Sequence, residues 1–341
     1  MQMRDDLGIT TKLENGKAYL EFALPEKIGR LLSALQIEIW EGAEGERLVF
    51  HGEYSLEEAD SMTALLLRPH LWDGMRDPYV YLVKAQGRFR SVEYGEKMGG
   101  MEKEEKLDPA EDITGEVEMY WRQELTIYDV RVVEKKGILL NEKEFLPHEV
   151  VYRLPPQISD AGTRVEQVRR DLERLVRMGV NVIRLEGTGS GAERQNCYEV
   201  RAFYRLCRRG GFLTGDLWIR PENLPVYRGL PGETTCQALL AADGRTLTER
   251  YYYYQAKWSS EPVLYPVLST LHRQENGLLS LTIYSNQKKV VLYVDGLLFL
   301  FQTAASGDPE FIFEDIPVEK LPLHLAVEAG NLSISLTVTK L

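Results

Sequence analysis

Between residues 146 and 217 the chain twice follows an amphipathic helix with a short, flat, apolar strand. Few folds accept that alternation. The first helix is expected over Arg164–Met178, with Thr163 and Glu166 as a capping box that satisfies two orphan amides and Gly179 as a left-handed stop. Val165, Val168, Leu172, Leu175 and Val176 share one face, while Arg169, Arg170, Glu173, Arg174 and Arg177 fall mostly on the other. The strand Val180 to Leu185 follows at once. A second helix, capped by Asn196 with Glu199 three residues on, turns Val200, Phe203, Leu206 and Cys207 inward. It ends at Gly210-Gly211 and delivers the strand Phe212-Leu213-Thr214. With the apolar run Leu146 to Tyr152 ahead of them, these pieces predict parallel pairing through right-handed crossovers, a β/α layer.

The flanking sequence has a different period. Leu7 to Leu13 and Lys17 to Leu24 bracket Asn15-Gly16, a turn whose two residues must tolerate positive φ. Leu31 to Trp40, Met62 to Leu67, Tyr79 to Ala85, Glu116 to Tyr120 and Glu124 to Val133 read as further strands, enough for a sandwich. After residue 263 the pattern is β again, with Asp295-Gly296 as a second hairpin turn between Lys288 to Val294 and Leu297 to Phe301. The stretch after Asp216 is rich in Pro and Gly and predicts no long regular element. A net charge of −11 argues against a nucleic-acid partner. No run approaches the length of a membrane span, and the N-terminus has no apolar signal core. The three cysteines, Cys197, Cys207 and Cys236, fit neither a disulfide framework nor a zinc site, so a reduced, cytoplasmic protein without a metal or other cofactor is expected.

Several short words together resemble glycoside hydrolase family 2, the β-galactosidase and β-glucuronidase family. Gly137-Ile138-Leu139-Leu140-Asn141-Glu142-Lys143 is similar to the family's strand ahead of its catalytic barrel. Arg170-Asp171-Leu172, Met178-Gly179 and Asn181-Val182-Ile183-Arg184 resemble the first barrel helix and the strand it feeds, and Phe203 to Leu213 the next unit. Pro69 to Tyr81, with Trp72 and Tyr81 expected to pack in a core, resembles a word of the immunoglobulin-like domain before the barrel. The run Tyr251-Tyr252-Tyr253-Tyr254-Gln255-Ala256-Lys257-Trp258-Ser259-Ser260-Glu261-Pro262 resembles the close of the barrel. The resemblance implies a multidomain β and α/β chain: an immunoglobulin-like β-sandwich over 1–135, a truncated (β/α) barrel-derived layer over 136–255 and a second immunoglobulin-like β-sandwich over 256–341.

A complete barrel of eight units takes about 250 residues, whereas about 115 separate the opening and closing words here, with three recognisable strands. No stretch corresponds to the family's acid/base glutamate on its fourth strand or its nucleophile on the seventh. Asn141-Glu142 imitates the asparagine–glutamate pair but stands at the turn where the family commonly has asparagine and glycine. Where the family carries sugar-facing polar residues at its first three strand ends, this chain has Arg153-Leu154-Pro155, Arg184-Leu185-Glu186 and Asp216-Leu217. Arg153, Arg184, Glu186, Asp216 and Trp218 are therefore the candidate ligand-binding residues, with Glu186 and Asp216 the candidate carboxylate pair. A buried ion network with Arg153 and Arg184 is the structural alternative.

Gly187-Thr188-Gly189-Ser190-Gly191 imitates a dinucleotide fingerprint, but the next helix starts too late to put a diphosphate on its N-terminus. The expected function is that of a glycoside hydrolase homologue without hydrolysis, binding carbohydrate or serving assembly. The alternatives are a glycosidase using Glu186 and Asp216, and a pure scaffold. Three parallel strands would leave an open edge, to be covered by the sandwiches, by residues 218–250, or by a homodimer or partner chain.

Overall fold

The computed structural model of the chain describes residues 7–29, 32–55, 61–89, 118–154, 161–186, 197–214, 224–229, 238–305 and 307–340. Contacts divide it into two units that meet in sequence at Phe145 and Leu146. Most of the structure is β-sheet, with few helices. No described helix is long and apolar enough to cross a membrane.

In the first unit a three-stranded sheet (Gly8–Glu14, Lys17–Ala23, Met62–Leu67) and a four-stranded sheet share one core. The latter runs Arg47–Ser55, Leu32–Glu41, Tyr81–Phe89, Glu118–Leu125. Alternation drives this packing: in Lys17–Ala23 every second residue, Ala18, Leu20 and Phe22, is buried. Asn15 and Gly16 have φ of 50° and 71°, as a tight hairpin with matching twist demands. Arg47–Ser55 was not expected as a strand, and Glu118–Leu125 is continuous where a break was read at residues 121–123. Trp72 and Tyr81 are both buried.

The second unit opens with the parallel sheet: β1 (Glu149–Tyr152), β2 (Val182–Leu185), β3 (Leu213–Thr214), β4 (Val226–Arg228) and β5 (Ala238–Leu240). Five strands replace the three expected. Residues 224–240 supply the other two, which are three residues long and too short to show a period. Their order is β3-β2-β1-β4-β5, parallel throughout. The chain thus winds outward on one side of β1, then returns to wind outward on the other.

Helix α1 (Ala161–Met178) begins earlier than its capping signal suggested, which puts Thr163 and Glu166 inside the helix instead of at its cap. Val168, Leu172 and Leu175 form its buried stripe. It stops in a paired turn: Gly179 N–H donates to Val176 O at 2.9 Å and Val180 N–H to Leu175 O at 3.0 Å, with Gly179 at φ 88°. Helix α2 (Cys197–Arg209) ends the same way, Gly211 donating to Arg208 O and Phe212 to Cys207 O. Helix α3 (Glu249–Trp258) buries Tyr251 and Ala256. Side chains of α1, α2 and α3 share a core with Val150 and Tyr152 of β1 and Ile183 of β2.

A sandwich of β6 (Leu264–Arg273), β7 (Leu279–Ser285) and β10 (Glu310–Ile316) against β8 (Lys289–Val294), β9 (Leu297–Thr303), β11 (Leu323–Ala329) and β12 (Leu332–Val338) completes the unit. Asp295 and Gly296 turn at φ 47° and 81°.

Candidate strand-end site

Where a parallel sheet reverses its winding direction, loops leave neighbouring strands in opposite senses and open a crevice beyond the carboxyl ends. Here that place lies between β1 and β4. Arg153 follows β1 and Arg228 ends β4, and Arg153 Nη1 donates to Arg228 O at 3.3 Å.

Arg153 also grips Glu186, which follows β2. Its Nε donates to one carboxylate oxygen and its Nη2 to the other, the latter at 3.4 Å. Such a fork is the geometry in which guanidinium meets carboxylate best. The arginine side chain is largely buried and that of Glu186 is about half exposed. The carboxylate is held where the strand ends meet solvent.

Behind this rim lies a buried polar knot. Asp171 of α1, with no exposed surface, accepts hydrogen bonds from Tyr152 Oη at 2.9 Å, Tyr227 Oη at 3.0 Å and Arg228 Nη2 at 2.7 Å. Arg174, one helical turn on, lies 3.6 Å away. Tyr152 and Tyr227 stack at 5.5 Å, and Phe203 stacks on the far side of Tyr152 at 4.9 Å. Burial, reinforced by the Asp171 charge, pushes both phenols well above the ordinary tyrosine range. Both therefore remain proton donors to Asp171. A Cβ on Gly244 would come within 2.6 Å of Arg228 Nη1, so the 241–246 turn closes over that guanidinium.

Arg184 is not part of the rim. Val151 and Arg184 are register partners on the face opposite the helices, and Arg184 Nε donates to Glu149 Oε1 at 2.9 Å. Of the ion network expected among Glu186, Asp216, Arg153 and Arg184, the described residues include the Arg153–Glu186 pair, and Arg184 also engages Glu149. Asp216 and Trp218 lie outside the described residues, as do Gly187 to Gly191. Glu149, Asp171 and Arg228 were missed as site residues. A signal existed for Glu149, a lone acid in the apolar run before Tyr152 that calls for a partner on the neighbouring strand. Asn141 and Glu142 form a hairpin turn at φ 49° and 66°. The Asn141 side chain donates to Trp72 O at 2.9 Å and accepts from Asp129 N–H at 3.0 Å, which makes it a pin within the first unit. Burial pushes the Cys207 thiol up, out of the reactive range.

No family model matches the sequence, and no curated protein matches it significantly. Solved structures do. An FMN-binding β-glucuronidase from Facaelibacterium prausnitzii L2-6 superposes with a TM-score of 0.67 at 13% identity, covering 98% of this chain and 74% of the other. A β-glycosidase from Bacteroides vulgatus gives 0.64 at 12% identity, with 98% and 64% covered. A glycosyl hydrolase family 2 member from Bacteroides cellulosilyticus DSM 14838 gives 0.60 at 13% identity, with 98% and 63% covered. This chain thus spans 63% to 74% of their lengths, less than two thirds of two of them. In fold, the chain is related to the glycoside hydrolase family 2 β-glucuronidases and β-galactosidases.

Proposed function

We propose that the protein is a carbohydrate-binding relative of the β-glucuronidases and β-galactosidases that has lost hydrolysis with the middle of its barrel. The parallel sheet is read as the surviving start of the barrel, with β4 in the place beside β1 that a closed barrel gives to its last strand. One observation carries the reading. The Glu186 carboxylate at the strand ends is engaged by the Arg153 guanidinium, whereas retaining hydrolysis needs two carboxyl groups facing each other about 5–5.5 Å apart. Arg153 and Glu186 then serve as donor and acceptor to sugar hydroxyls, with Asp216 and Trp218 as the further residues of that binding surface.

Aryl β-galactosides and β-glucuronides test this. The expected result is no turnover, together with a rise in Tm on adding the free sugars that is lost in Arg153→Ala. Turnover abolished by Glu186→Gln would establish a working glycosidase instead. A Tm that no sugar moves would leave a scaffold.

A further inference from the structure

Four consecutive tyrosines, Tyr251 to Tyr254, occupy a ten-residue helix that can bury only one side. Tyr251 fills the core. Tyr252 stacks on Tyr265 of β6 at 3.8 Å and 6°. Tyr253 meets Tyr284 of β7 edge-on at 5.4 Å, and Tyr254 tilts against Trp258 at 4.5 Å. Tyr253, Tyr254 and Tyr284, with Glu249, Arg250 and Glu310, line a cavity of about 630 Å³. That volume lies in the range of small-molecule sites. Its walls come from the start of β5, the first half of α3 and the sandwich strands. Arg153, Glu186 and Arg228 have no part in it.

We propose that this cavity binds a neutral saccharide of one or two pyranose units. The chemistry of its walls sorts the candidates. A sugar ring presents an apolar C–H face and a belt of hydroxyls, so it needs flat aromatic walls beside fixed polar groups. The half-buried phenol rings supply the walls, held by contacts to one another. Glu249 supplies a fixed acceptor: its two oxygens are positioned by Ser269 N–H at 3.2 Å and Ser269 Oγ at 2.6 Å, and each keeps a lone pair for a guest. Glu310, opposite Tyr284 in the β7–β10 register and exposed, supplies a second acceptor at the mouth. Arg250 supplies donors. A cationic guest fits less well, because the chain already offers its own cations to these rings: the Arg250 guanidinium lies 5.7 Å from the Tyr254 centroid and Lys257 Nζ 5.7 Å from that of Tyr253. The inference rests on these walls and is independent of the strand-end reading.

Saturation-transfer NMR on the full chain, with lactose, cellobiose, mannobiose and chitobiose at millimolar concentration, tests it. Transfer to the ring protons of one sugar face is expected for at least one of the four. It should persist in Arg153→Ala, which silences the strand-end site, and vanish when Tyr253→Ala/Tyr284→Ala is added to that background. Glu310→Gln, an exposed substitution with no packing cost, should weaken affinity about tenfold, as expected for one hydrogen bond to a charged group. Transfer from none of the four sugars overturns the proposal. So does transfer that survives in the folded triple variant, or choline displacing the bound sugar in Arg153→Ala and losing its own binding when Glu249→Gln is added.

Discussion

Asp171 stands at a junction where removing a charge and removing a shape have different costs. It accepts from two phenols and one guanidinium, with no exposed surface. Asp171→Asn keeps the outline but leaves the Arg228 guanidinium buried without its counter-ion, a change that costs about 3–5 kcal/mol. Urea unfolding should show that loss as a lower midpoint at unchanged slope. The double variant Asp171→Asn/Arg228→Met should recover most of it, since no charge is then stranded and the amide oxygen at 171 still accepts from both phenols. His148 makes a complementary statement about protons. Its ring stacks on Trp258 at 5.2 Å and its Nδ1 bonds Gly179 O at 2.8 Å. Burial lowers its pKa, against a smaller upward pull from that carbonyl. A depressed folded value means the folded chain binds this proton less readily than the unfolded chain. The contribution is therefore present above the ordinary histidine value of about 6.5 and lost as pH falls through the folded value. The wild-type Tm should drop on acidification from pH 7.5 to 5.5 by more than that of His148→Gln.

At the scale of elements, the end of α1 is the tightest joint. A Cβ on Gly179 would lie 2.4 Å from the carbonyl oxygen of Trp258, at the end of α3, and the residue sits at φ 88°. Gly179→Ala meets left-handed strain of about 1–2 kcal/mol and a backbone clash on top of it. A loss of more than about 2 kcal/mol is expected, against about 1–2 kcal/mol for Gly277→Ala, which shares a positive φ of 84° but has open space around it. Chemical denaturation of the two variants separates clash from strain. The helices and the first three strands of this layer were legible because their apolar residues recur at helical spacing and their stops are glycines. β4 and β5 were not legible. Val226-Tyr227-Arg228 and Ala238-Leu239-Leu240 are set by pairing with strands already in place, and a three-residue strand carries no period of its own.

For the whole molecule, the sandwich periodicity and the paired-turn glycines made the order of β and α/β regions readable, and several short words together pointed to the fold that the structural matches share. The site was legible only in part. Arg153 and Glu186 could be placed at strand ends by counting, with an ion network as one reading of them, but which arginine meets which acid depends on side-chain reach across β1 and β2, which spacing does not encode. Asp171 stood out only as part of a word resembling the family's first barrel helix, and its contacts form only when β4 brings Tyr227 and Arg228 to it.

The position of β1 has an evolutionary corollary. The segment that enters the layer first in sequence becomes its middle, with later strands added to its left and right. Gain or loss of a strand at either margin leaves Glu149–Tyr152 with its ladders satisfied on both sides. A lineage could thus trim such a domain repeatedly without passing through an ancestor whose central backbone groups lacked partners.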